Sequence, residues 1–182
     1  RNKSPNYNFV YDQVVTCGEM ISSKILSVYL SDNEMGSQWL DARDFIKTDT
    51  NYREGVVNWE DTEKNISQLD KAKTYVTQGF IGSDENNFTV SLGREGSDYS
   101  AAIFAYCLNA KDMTIWKDVP GVMTGDPRKF ENVELLSNIS YEEAIEMAYY
   151  GASVIHPKTL QPLKQKSIPF FVKSFISPEK AG

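Results

Sequence analysis

The sequence predicts an α/β protein built on a mostly parallel sheet with helices on both faces. Three observations point there. Short apolar runs of β-forming residues alternate along the chain with stretches of helical periodicity, the pattern of strands joined through helices. Around Val90–Leu92 an apolar run ends in a turn bracketed by Gly93 and Gly96, and residues 98–108 then carry Ala101, Ala102, Ala105 and Leu108 at helical spacing. Residues 113–116 form a second apolar run that opens into a long polar loop marked by Pro120-Gly121 and Asp126-Pro127, the kind of loop beside which open α/β sheets bind ligands.

Residues 1–8 are polar and predict a frayed end, and residues 13–16 a short lead into Gly18-Glu19. Ile21, Ile25, Val28 and Tyr29 mark one face of a helix that Gly36 is placed to end. Residues 37–41 predict a strand around Trp39 and Leu40, and residues 42–48 a short helix. Val56-Val57 hints at another strand, and Ile66 and Leu69 give residues 61–73 a helical period. A β-rich run at 74–79 leads through Phe80-Ile81-Gly82 into a polar hairpin-like loop at 83–87. Ser97 falls where the next helix needs its N-cap. Further on, Ser140 and Glu143 form an S-x-x-E capping box, and Gly151 is placed to stop the helix that follows. Pro157 suits the first position of a last helix, which Pro162 is expected to kink or shorten, and residues 168–174 close as a strand.

At 182 residues the length suits one domain, and 41% apolar residues are ample for a core. A net charge of −6 argues against a nucleic-acid partner, and no apolar run approaches membrane-spanning length. Cys17 and Cys107 lie in apolar contexts without metal-like spacing and are expected to be reduced core residues of a cytoplasmic protein. Without an initiator Met, the chain looks like a piece of something longer.

The turn before residue 98 carries the chemistry. A strand entering a helix through a glycine turn aims several backbone N–H groups at one point, which suits an anion. Arg94 adds a planar fork for a carboxylate or phosphate. Asp98 in the first turn would repel a phosphate unless a cation such as Mg²⁺ lies between them.

Three stretches, GFIGSDENNFTVSLGREGSDYSAA, IWKDVPGVMTGDPR and EEAIEMAYYGASVIHPKTL, together resemble aspartokinases of the amino-acid kinase superfamily, from about Val14 to Gly182. The resemblance implies a three-layer α/β/α amino-acid kinase fold whose N-terminal part lies upstream of Arg1, with regulatory domains downstream. It also implies phosphorylation of the side-chain carboxylate of L-aspartate by ATP and Mg²⁺, the entry step to lysine, threonine and methionine synthesis, in an enzyme that is a homo-oligomer when intact. Arg94 and Ser97 match the family's substrate arginine and serine, with Glu95 and Gly96 in the same turn. Glu19 matches the glutamate facing the amino acid, although a carboxylate at a helix N-terminus is also an ordinary stabilising device worth about 0.3–1 kcal/mol. Phe80 matches a phenylalanine beside the substrate, or else serves as a core aromatic. Asp98 matches the aspartate near Mg²⁺ and the phosphates. Lys117, Asp118, Met123, Arg128, Ser153 and Val154 fall on the nucleotide side. His156, the sole histidine, is read as structural because Pro157 after it signals helix entry.

Two positions depart from the family pattern: Met123 stands where a nucleotide-contacting tyrosine is common, and Ser153 where a phosphate-contacting lysine is. The family's Lys-Phe-Gly-Gly-Thr-Ser strand is not in this sequence, so the 182-residue chain is expected to be inactive alone. Two other readings stand beside this one: another kinase of the superfamily, acting on glutamate, N-acetylglutamate or a nucleoside monophosphate, and a non-catalytic ligand-binding fragment.

Overall fold

The first helix, α1 (Tyr7–Val15), begins where the Asn6 side chain accepts the Asn8 N–H at 3.0 Å, a local N-cap that orders residues 6–8 of the stretch expected to be frayed, whose residues 1–5 lie outside the described residues. The computed structural model describes residues 6–126, 129–150 and 155–180. The chain packs as two units, Arg1–Leu108 and Asn109–Gly182.

In the first unit α2 (Cys17–Asp32) follows α1. The face of α2 marked by Ile21, Ile25, Val28 and Tyr29 is exposed, while Ser23 and Ser27 are buried. Hydrogen bonding chooses the buried face. The Trp39 Nε1–H and the Gln78 amide both donate to Ser23 Oγ, at 3.1 and 2.8 Å, and only a small polar side chain lets them approach. Cys17 is likewise exposed, whereas Cys107 is buried as expected.

β1 (Ser37–Trp39) pairs in parallel with β2 (Thr74–Val76). Between them α3 (Ala42–Phe45) stops earlier than its sequence suggested, because residues 46–48 run extended: Thr48 N–H donates to Ser83 O and Ser83 N–H to Ile46 O. On the other side Thr48 makes a single bridge to Val57, so Val56-Val57 contributes a contact and not a strand. α4 (Trp59–Ile66) ends well short of residue 73 because the Asp70 carboxylate captures the Ala72 N–H at 3.0 Å and folds the chain into a turn.

β3 (Ile81–Ser83) and β4 (Thr89–Ser91) form an antiparallel hairpin around the polar loop. The described strands thus make two parallel pairs and one antiparallel one, an α/β arrangement whose parallel character is interrupted at this hairpin. α5 (Gly96–Leu108) packs its Tyr99, Ile103 and Cys107 onto Ile46, Val57, Ile66 and Leu92. It begins at Gly96, so Ser97 lies inside the first turn and is not its cap.

In the second unit β5 (Met113–Lys117) pairs in parallel with β6 (Phe170–Ser174) over five residues. α6 (Tyr141–Tyr149) opens with the predicted capping box, Ser140 accepting from Glu143 N–H and Glu143 reaching back to Ser140 N–H. Gly151, expected to stop this helix, lies outside the described residues. α7 (Pro157–Gln165) has Pro157 at its start and runs unbroken through Pro162, which joins Leu160 and Leu163 on the buried face. Burial of that ring compensates for the one N–H it cannot supply. Before α7, His156 Nδ1 accepts the Lys158 N–H at 3.1 Å, a helix cap in keeping with its structural reading.

Candidate active site

The turn from β4 into α5 forms one wall of a pocket of about 750 Å³ in the first unit. Glu19, Phe80, Arg94, Glu95, Gly96 and Ser97, all singled out from the sequence, line it together. They come from three places: Glu19 from the first turn of α2, Phe80 from the residue before β3, and the other four from the β4–α5 passage, Arg94 and Glu95 in the turn and Gly96 and Ser97 in the first turn of α5.

Close packing brings these pieces together. Ser100 in α5 donates from Oγ to Gly96 O at 2.8 Å and accepts the Phe80 N–H at 2.8 Å, tying the start of β3 to the first turn of the helix. A Cβ on Gly96 would stand 2.7 Å from Phe80 Cδ2, and one on Gly79 would stand 2.9 Å from Ser97. Both positions therefore require glycine by proximity. Phe80 is half-buried, on the pocket lining and close against Gly96, and is not among the buried core residues.

Backbone strain concentrates here. Arg53, Phe80 and Glu95 all line the pocket with left-handed φ values of 76°, 73° and 53°. Such conformations cost free energy in non-glycine residues and persist where surrounding structure enforces them, commonly at binding sites. Glu95 adds a second irregularity: its Oε2 is shut from solvent without a hydrogen-bond donor among the described residues. Asp98, half-buried in the first turn of α5, stands outside the pocket's lining.

Other residues that build this pocket have no local sequence signal. Asp12, fully buried in α1, accepts from Ser91 N–H (2.9 Å), Ser91 Oγ–H (2.7 Å) and Arg53 N–H (2.8 Å). It clamps the 51–55 loop to the end of β4. The run Asn51-Tyr52-Arg53-Glu54-Gly55 was ambiguous in the sequence, and nothing in it signalled its approach to the glycine turn. Tyr52, also on the lining, donates to Asp84 Oδ2 at 2.8 Å. Burial, and then the Asp84 carboxylate, hold its phenol up at about 12. A raised value in the folded state means stabilisation that is complete below the ordinary tyrosine range near 10 and lost as pH rises toward 12. Alkaline titration at 295 nm should show Tyr52 ionising after the exposed tyrosines, together with Tyr99, which burial also raises to about 12, and Tyr52→Phe should lower the amplitude of that late step by one phenol.

In the second unit Lys117 ends β5 half-buried, Asp118 follows exposed, and Met123 makes an antiparallel bridge with Leu135. Arg128, Ser153 and Val154 lie outside the described residues. The described residues contain no cluster of three or more His, Cys, Asp or Glu side chains able to hold a metal by themselves. None of their helices is long and apolar enough to cross a membrane.

Parallel strand pairs covered by helices, with a strand–glycine turn–helix wall on the pocket, define a class that the comparisons identify. The profile of the amino acid kinase family matches residues 2–174, and the chain belongs to that family. Within it the relatives are aspartokinases. The bifunctional aspartokinase/homoserine dehydrogenase of Buchnera aphidicola is 37% identical over 172 residues, covering 93% of this chain and 21% of the relative. Lysine-sensitive aspartokinase 3 of Escherichia coli is 36% identical over 182 residues, covering 94% of this chain and 39% of the relative. The crystal structure of E. coli aspartokinase III in complex with aspartate and ADP superposes with a TM-score of 0.91 at 35% identity, covering 96% of this chain and 40% of that one. The UMP kinase of Bacillus anthracis, at 17% identity and a TM-score of 0.65, shares the fold. The chain thus spans about a fifth to two-fifths of the length of the aspartokinases it matches.

Proposed function

We propose that this chain is the C-terminal portion of an aspartokinase catalytic domain, which transfers the γ-phosphoryl group of ATP to the side-chain carboxylate of L-aspartate. The observation that carries this reading is the convergence of Glu19, Phe80, Arg94, Glu95, Gly96 and Ser97 on one pocket. An amino acid with two carboxylates and an ammonium group needs a cationic fork and an anion, and the pocket offers both. Arg94 holds the α-carboxylate, with Ser97 beside it. Glu19, on the pocket lining, accepts from the ammonium group. Phe80 walls the carbon chain and limits its length. The ionised β-carboxylate attacks the γ-phosphorus, a C–O–P linkage forms, and the bond to the β-phosphate oxygen breaks to release ADP. No general base is needed, and the protein's contribution is positioning and charge stabilisation.

Lys117, Asp118 and Met123, with Arg128, Ser153 and Val154, are proposed for the nucleotide. Asp98 is proposed as the protein carboxylate for Mg²⁺. One carboxylate suffices in such sites because substrate phosphates and water complete the coordination. When bound, Mg²⁺ supplies neutralisation of the phosphate charge. The intact enzyme is proposed to be cytoplasmic and homo-oligomeric, the latter supported by the exposed apolar residues Ile21, Ile25, Val28 and Tyr29 on α2.

The test is ADP release by the intact protein that carries this chain, with ATP, Mg²⁺ and each candidate acceptor. Release dependent on L-aspartate, and not on L-glutamate or N-acetyl-L-glutamate, is expected. ATP binding without acceptor-dependent release would leave only the ligand-binding reading. In the same assay Asp98→Asn should weaken Mg²⁺-dependent turnover far more than it weakens folding. Equal Mg²⁺ titrations would remove Asp98 from the site.

A further inference from the structure

The pocket holds a second arginine that the reading above leaves unused. Arg53 is exposed on the pocket lining, and its guanidinium stacks 4.6 Å from the centroid of Tyr11, another lining residue. Among the described residues no carboxylate pairs with that guanidinium. Its backbone is held left-handed at φ 76°, with its N–H locked onto the buried Asp12 carboxylate. A Cβ on Gly93 would stand 3.2 Å from Arg53 O, so the backbone that presents Arg53 lies directly against the residue before Arg94. Two guanidinium-bearing segments thus meet on one pocket wall. One is restrained at both ends, by the Asp12 hydrogen bond and by the tyrosine ring.

We propose that Arg53 is a second anion-binding residue of this pocket, which takes the carboxylate that Arg94 leaves free and so selects dicarboxylic over monocarboxylic amino acids. This rests on the amino-acid reading above. A guanidinium stacked on an aromatic face keeps its edge N–H groups free for a planar anion and loses little side-chain entropy when it binds one. Asp12 and Tyr11 act as positioning residues: the first sets where the loop presents Arg53, and the second sets the plane of its fork. The strained backbone has a matching role, since holding a non-glycine residue left-handed needs the enforcing contacts that Asp12 supplies.

The experiment is calorimetric titration of the intact protein with L-aspartate and L-asparagine, which differ by one carboxylate charge. The parent is expected to prefer L-aspartate by about tenfold or more, the usual range for a charged hydrogen bond. Arg53→Gly should abolish that preference while leaving L-asparagine binding unchanged, whereas Arg94→Gln should weaken both ligands. Arg53→Gly suits the left-handed backbone, so its melting temperature should equal or exceed the parent's and a folding defect cannot mimic the loss. A preserved preference in Arg53→Gly overturns the assignment and leaves the aspartate reading intact. If the parent binds neither amino acid, the aspartate reading falls, and inorganic phosphate decides the Arg53 site by itself. Phosphate bound by the parent and lost in Arg53→Gly upholds the anion site. Phosphate unbound by the parent, or bound equally by both proteins, overturns it.

Discussion

Arg94→Ala is expected to weaken L-aspartate recognition by about 2–5 kcal/mol, the cost of truncating one member of a hydrogen-bonded charge pair. Arg94 sits in the turn that leads into α5, on the same pocket as Glu19 and Ser97. The N–H groups of that helix start favour the same ligand carboxylate, so part of the binding survives the loss of the guanidinium. Arg94→Lys should restore little, because a flexible point charge cannot reproduce two parallel N–H donors in one plane. Steady-state kinetics on the intact protein checks both variants. An L-aspartate KM and kcat unchanged in Arg94→Ala would exclude Arg94 from the substrate site.

Asp12→Ala is expected to destabilise the first unit by about 2–5 kcal/mol. Removing the carboxylate leaves the buried Ser91 N–H and O–H without their acceptor, each costing about 1–3 kcal/mol. The Arg53 N–H, next to an exposed side chain, can turn to water and adds less. Asp12→Asn retains the volume and one acceptor oxygen, so its loss should be smaller. Urea unfolding followed by circular dichroism measures both, and a change for Asp12→Ala within about 0.5 kcal/mol, the range of neutral surface substitutions, would mean that the clamp contributes nothing. Ligand affinity gives a second readout. Releasing the 51–55 loop should weaken L-aspartate binding even under conditions where the variant is fully folded.

The two variants also separate what is legible in a sequence from what is not. Arg94 was found from its neighbours: a glycine turn, a helix start and a planar cation occur within five consecutive residues. Asp12 carries no such mark. Its partners Arg53 and Ser91 lie 41 and 79 residues away in sequence, and a lone acid in an otherwise ordinary helix does not announce that it is buried. Arg53 is equally silent, because a left-handed arginine in a polar loop looks like any solvated one until the loop is seen against Gly93.

The same division runs through the fold. The capping box at Ser140 and Glu143, the proline at the start of α7, the β4–turn–α5 passage and the alternation of strand and helix all depend on groups a few residues apart, and their sequence signals were sufficient. Other features were decided by the tertiary structure. The buried side of α2 follows Ser23 because Trp39 and Gln78 need its hydroxyl, overriding the apolar stripe that a period count selects. Residues 46–48 leave the helix to pair with Ser83 and bridge to Val57 because two neighbouring segments offer them backbone partners. The pocket wall itself is cooperative. Arg53, Phe80 and Glu95 adopt backbone conformations that their own side chains disfavour, and packing of distant segments supplies the free energy that holds them there.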